Sequence, residues 1–104
     1  MNIEWSPFAL AQFNNILDEI EKAQSLDVAL KWLDKIDSAV DALADFPLIG
    51  APLQPVTHKG FDDFFKGLRQ IVVPPYRIVY ELKEDVCEVL FCQRTEQMLT
   101  PQAQ

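Results

Sequence analysis

Gly67-Leu68-Arg69-Gln70-Ile71-Val72-Val73-Pro74-Pro75-Tyr76-Arg77-Ile78-Val79-Tyr80 is the stretch whose reading decides the fold. It is the densest run of β-forming residues in the chain and carries two of its three arginines. It reads as two strands, 68–73 and 76–82, joined at Pro74-Pro75. In the second strand Tyr76, Ile78 and Tyr80 alternate with Arg77, Val79 and Glu81. One face therefore takes the rings and the other the charges. Leu68, Ile71 and Val73 are the core candidates of the first. A third apolar run, 86–92, follows the charged turn Lys83-Glu84-Asp85. Three strands in succession predict an antiparallel meander with one covered face.

The residues before position 60 supply the cover. Asn2 to Trp5 is a short strand candidate for an edge of the meander. Ser6-Pro7 is a helix start, because serine caps and proline is tolerated at the first helical position. The helix is predicted to about Ala23, with Phe13, Ile16, Leu17 and Ile20 on one stripe. Ser25 starts a second helix, with Asp27 in the first turn, where the helix dipole favours an acid. Its apolar stripe is Leu26, Ala29, Leu30, Leu33, Ile36, Val40 and Leu43, as far as about Asp45. Lys31, Asp34, Lys35, Asp37 and Asp41 fill the outer face. Two antiparallel helices joined near Gln24 form a hairpin over the sheet. Phe46-Pro47 ends it, and a proline-rich loop runs to Gly60. Phe61, Phe64 and Phe65 read as a short turn closing that loop onto the core.

At 104 residues and 49% apolar content the chain is one domain with one core, 1–104. Residues from about 97 on read as a mobile tail. No run of about 18 apolar residues is present, so no membrane span is expected. The start, Met1 to Phe8, has neither the basic nor the apolar region of a secretion signal. Both readings lead to an expectation of a cytoplasmic protein. Cys87 and Cys92 lie an odd number of residues apart on one strand. Strand alternation then puts them on opposite faces, where they cannot bridge. They lack metal-ligand spacing with the lone His58, itself a loop residue. No metal and no cofactor are expected.

The net charge of −7 is unevenly placed. Residues 1–50 hold nine acids and three bases, whereas residues 51–104 hold seven acids and six bases. A dedicated nucleic-acid binder is usually basic, because neutralising phosphates drives its affinity. Compact catalytic motifs are absent: there is no glycine-rich phosphate loop, no HExxH and no nucleophile elbow. What remains is the cations of the strand half. Arg69, Arg77 and Arg94 come from three successive strands or their ends, with Lys66 nearby. Antiparallel pairing can gather them on one exposed face that holds phosphates or a charged target. Alternatively each pairs with Glu81, Glu88, Glu96 or the acidic helices.

The order of these elements resembles the RelE/ParE toxin superfamily of bacterial toxin–antitoxin systems, over about residues 2–96. The resemblance is carried by Trp5-Ser6-Pro7 with Ala9, Ala29, Pro47-Leu48-Ile49-Gly50, Gly67-Leu68-Arg69 and Pro75-Tyr76-Arg77-Ile78-Val79-Tyr80. It implies an α+β fold, with an N-terminal strand and a helical hairpin packed on a small twisted antiparallel β-sheet. RelE-like members cut ribosome-bound mRNA, and ParE-like members poison DNA gyrase. Arg77 falls where ribonuclease members keep an arginine on the scissile phosphate, and Arg94 falls near a second. The tyrosine or histidine expected beyond it for acid–base chemistry has no counterpart in residues 95–104. The long hairpin and the 67–73 strand are more similar to ParE-like members.

The resemblance therefore implies a ParE-like toxin that binds a protein target, DNA gyrase, through Lys66, Arg69, Arg77 and Arg94. A cognate antitoxin would neutralise it by covering apolar surface on the hairpin and sheet. The alternatives are a ribosome-dependent endoribonuclease with Arg77 and Arg94 catalytic, or a family member without toxic activity. A homodimer or a hetero-oligomer with the antitoxin fits each of these.

Overall fold

Ser6 and Pro7 start the first helix as their types dictate. In the computed structural model, which describes residues 1–53 and 67–99, α1 spans Pro7–Ala23. The Ser6 hydroxyl accepts a hydrogen bond from the Ala9 amide at 3.0 Å. The same hydroxyl donates to the Leu90 carbonyl at 3.4 Å, which ties the helix start to the last strand. The next helix, α2, spans Leu26–Asp41 with Ser25 as its cap, accepting from Val28 at 3.2 Å. It is shorter than its apolar period predicts, because Ala42–Ala44 tighten into a 3-10 turn. Two causes act there. The residue before Pro47 is biased away from helical backbone, and the last turn of α2 ends on Asp41 with no base to complement the dipole.

Among the described residues five strands make one sheet: β1 Asn2–Trp5, β2 Ala51–Pro52, β3 Leu68–Val73, β4 Tyr76–Lys83 and β5 Val86–Arg94. Their spatial order is β1-β5-β4-β3-β2. The meander β3-β4-β5 is antiparallel as expected, and β1 takes an edge as expected. That edge pairs in parallel, with Ile3 opposite Cys87 and Trp5 opposite Val89. The sheet is therefore mixed, because the chain passes through both helices and the meander before β5 returns beside β1. Part of the expected 47–60 loop is also a strand: β2 pairs with β3 through Ala51 and Pro52. Proline fits there because an edge strand need not donate on its outer side. The turn expected at Phe61, Phe64 and Phe65 lies outside the described residues, as does His58.

The helices cover one sheet face. Ala9, Phe13, Ile16 and Ile20 of α1 pack with Ala29, Ile36 and Val40 of α2 against Val73, Tyr76, Ile78, Val89 and Cys92. Trp5 stacks on Phe13 with ring centres 5.1 Å apart, and Trp32 meets Tyr76 edge-on at 5.2 Å. The α2 stripe divides. Ala29, Ile36 and Val40 are buried, as is Leu43 beyond the helix, but Leu26, Leu30 and Leu33 face outward. The opposite sheet face has a second, smaller apolar cluster of Leu68, Val79 and Phe91, with Leu53, Leu90 and Leu99 packed on it.

A bulge corrects the strand arithmetic for the cysteines. Val79 lies opposite Phe91 and Tyr80 opposite Val89, so Leu90 is the extra residue in β5. An extra residue inverts the side-chain alternation beyond it. Cys87 pairs with Leu82 and Cys92 with Ile78, and those two alternate positions of β4 share the helix-covered face. Both thiols therefore sit on that one face, fully buried, and both are free.

Candidate functional site

The bulge and the register also decide where the arginines go. Arg69 lies opposite Tyr80 and Arg94 opposite Tyr76, so both belong to the helix-side face. Arg77 lies opposite Val72 on one side and Gln93 on the other, on the reverse face. The three do not share one face. Lys66 lies outside the described residues.

Each arginine has its own setting. Arg69 Nη1 donates to the Gly50 carbonyl at 2.7 Å and to the Leu48 carbonyl at 3.4 Å. Arg77 Nη2 donates to the Gln97 carbonyl, and its Nε is buried with no hydrogen-bond partner among the described residues. Burial pulls the Arg77 pKa down from its ordinary value. Arg94 pairs with Glu96 at 2.6 Å and lies 5.8 Å from the centre of the Tyr76 ring. Of the expected acidic partners only Glu96 is taken. Arg69 and Arg77 are met by backbone carbonyls instead, which sequence spacing does not reveal.

Two tethers follow that side-chain types alone did not announce. The first holds the segment Pro47-Leu48-Ile49-Gly50. Tyr80 is fully buried, its hydroxyl donates to the Pro47 carbonyl at 2.8 Å, and it accepts from the Gly50 amide at 2.9 Å. With Arg69 on the Gly50 carbonyl, both ends of this four-residue turn are fixed to β3 and β4. The second tether holds the end of the chain. Gln97 accepts from Arg77 and Gln93 through its carbonyl and from the Arg94 amide through its side chain. Leu99 packs on the second apolar cluster. Of the tail expected from residue 97, this part is docked, and residues 100–104 lie outside the described set.

The surface that these tethers present is apolar. Phe46, Leu48 and Ile49 are about two-thirds exposed (64%, 66% and 64%) and line one shallow hollow with Pro47. A turn that exposes three large apolar side chains while its backbone is clamped is pre-organised for contact. The clamp is open to test. Tyr80→Phe removes one donor and one acceptor, leaving the buried Gly50 amide unpaired. The expected loss is about 2 kcal/mol, or a melting temperature lower by roughly 10 °C. A thermal unfolding curve superposing on that of the parent chain would show that the hydroxyl does not hold the turn.

Among the described residues no three metal-ligating side chains gather, and no helix is long and apolar enough to cross a membrane. The described constellation thus offers cations on two faces, apolar protrusions and an acidic hairpin, a set suited to macromolecular surfaces.

Comparison with known proteins finds similarity in family, in sequence and in fold. Residues 3–98 match the family model for the ParE toxin of the type II toxin–antitoxin system parDE. A curated relative in Sinorhizobium fredii (strain NBRC 101917 / NGR234), named "Putative toxin Y4kP", is 33% identical over 97 residues, covering 91% of this chain and 88% of that one. A solved structure of a chromosomal ParDE toxin–antitoxin system from P. aeruginosa superposes with a TM-score of 0.72 at 22% identity, over 92% of this chain and 97% of that one. The last shares the fold of two helices on a small sheet.

Proposed function

The chain belongs to the ParE toxin family of type II toxin–antitoxin systems, and from that premise we propose that it acts by seizing a protein target, DNA gyrase, without cutting nucleic acid. A toxin of this class has an antitoxin as partner. The observation that carries the non-cleaving reading is the separation of the arginines: Arg77 lies on one sheet face and Arg94 on the other. A ribonuclease reading asks both to converge on one phosphate, and their register supports no such convergence. The acidic balance of −7 points the same way, since it opposes long-range attraction of RNA.

Target binding is assigned to Arg77 on the reverse face and Arg94 at the end of β5, and, on sequence grounds alone, to Lys66. Arg69 is assigned to holding the 47–50 turn. The site of action is the cytoplasm, where gyrase works. Neutralisation comes from an antitoxin segment that covers apolar surface on the hairpin.

Induced expression of this chain alone tests the proposal, with growth, plasmid supercoiling and mRNA integrity followed together. Growth arrest with a supercoiling defect and intact mRNA is expected. Early mRNA cleavage that disappears in Arg77→Ala would overturn the reading in favour of an endoribonuclease. Normal growth with abundant folded protein would overturn it in favour of a non-toxic family member.

A further inference from the structure

Residues 95–99 pass over the end of the sheet like a strap, from one face to the other. On the helix side Glu96 pairs with Arg94 at 2.6 Å. On the reverse side the Gln97 carbonyl accepts from Arg77 Nη2, and Leu99 packs on Leu68, Val79 and Phe91. Between these contacts the Thr95 amide donates to the Pro75 carbonyl at 2.9 Å, and the Gln97 side chain accepts from the Arg94 amide at 3.0 Å. The strap thus occupies both Arg77 and Arg94, the described residues to which target binding is assigned. It holds them loosely. Arg94 and Glu96 are exposed, and exposed ion pairs contribute little. Arg77 meets a neutral carbonyl, while its Nε is buried with no hydrogen-bond partner among the described residues.

We propose that this strap is a built-in competitor for the target: it holds Arg77 and Arg94 closed, and an acidic protein segment opens the site by displacing it. The inference rests on the proposed seizure of gyrase and adds how the site is guarded and what chemistry enters it. Three observations carry it. First, the strap has the outline of a ligand, with a carboxylate at Glu96, a backbone carbonyl at Gln97 and an apolar anchor at Leu99. Second, a carboxylate suits Arg77 better than the strap's carbonyl does. A guanidinium takes a carboxylate through two parallel N–H donors, and Nε with Nη2 is such a fork, half used here. Burial without a charged partner lowers the Arg77 pKa, and an arriving anion would reverse that. One carboxylate fills the fork, whereas the net charge of −7 opposes the dense charge of a nucleic acid. Third, the strap is displaceable: its contacts lie at the surface, and Met98 between its two ends is 65% exposed.

The test follows strap and target separately, on the full chain. Modification of Arg77 by hydroxyphenylglyoxal, read by peptide mass spectrometry, reports whether the strap is shut. Inhibition of supercoiling by purified DNA gyrase reports target binding. Glu96→Gln with Leu99→Ser is expected to be modified about tenfold faster and to inhibit at about one-tenth of the parent's concentration, since apparent affinity scales with the open fraction. Adding Arg77→Ala to this opened variant should cancel the gain. Met98→Ser, at a solvent-facing position, is expected to match the parent in both readouts. Circular dichroism melts confirm that each variant is folded. An unchanged modification rate would overturn the strap and leave the gyrase reading standing. Faster modification with parent-level inhibition would overturn the competitor. Absence of inhibition by parent and opened variant alike would overturn the gyrase reading and the competitor with it.

Discussion

Gly50→Ala is expected to lower stability by about 3 kcal/mol, a drop of roughly 15 °C in melting temperature. A Cβ at position 50 would lie 2.5 Å from the Tyr80 hydroxyl, 2.7 Å from the Tyr80 Cε1 and 2.8 Å from the Gln70 carbonyl oxygen. None of these can retreat cheaply. The tyrosine ring is fully buried beside Leu43 and Cys87, and the Gln70 carbonyl is backbone of a paired strand. The turn must therefore lift, which also breaks the hydrogen bonds from Gly50 to Tyr80 and from Arg69 to Gly50. Combining the change with Tyr80→Phe gives a sharper measurement. Both substitutions act on one contact, so the double variant should lose less than the two single losses together. Strict additivity in the unfolding free energies would mean that position 50 acts elsewhere.

The second large effect is with alkali. Burial pushes the Cys87 thiol up to about 11 and the Cys92 thiol up to about 12, from an ordinary value of 9.0. Between those limits the unfolded chain gives up thiol protons that the folded chain retains. Stability is therefore level below about pH 9 and falls as pH rises through 11 and 12. Complete loss would amount to about 3 kcal/mol from Cys87 and about 4 kcal/mol from Cys92. Tyr80, also raised chiefly by burial, acts in the same direction. Ultraviolet absorbance of the thiolate distinguishes the source. The native protein should show little thiolate at pH 10, and the urea-unfolded chain should show it fully. Native thiolate appearing near pH 9 would refute the burial argument. The same burial predicts slow alkylation of both cysteines at neutral pH, because the thiolate is the nucleophile.

Much of this molecule was legible residue by residue. The limits of α1, β3 and the start of β4 follow from Ser6-Pro7, from Pro74-Pro75 and from local alternation, all of which act over a few residues. The split of the α2 stripe was not legible, since Leu26, Leu30 and Leu33 are as apolar as Ala29, Ile36 and Val40 and share their helical period. Helical spacing says that two rows exist, and only packing against α1 and the sheet says which row is covered. The candidate site was legible as residue types but not as a place. Arg69, Arg77 and Arg94 were marked out as cations on strands, and their partners are carbonyls and a carboxylate set by the surrounding fold.

The sequence by itself determined the two helices with their caps, the β3-β4-β5 meander and the family, because each depends on local preference or on motif order. Tertiary structure alone decided the parallel edge of β1, the side of the sheet taken by each arginine and thiol, and the clamp on the 47–50 turn. The reason lies in range. Side-chain parity depends on register across strands, and the bulge at Leu90 inverts it for every residue that follows. The Tyr80 hydroxyl meets a backbone amide thirty positions away in the chain, a separation over which periodicity carries no information.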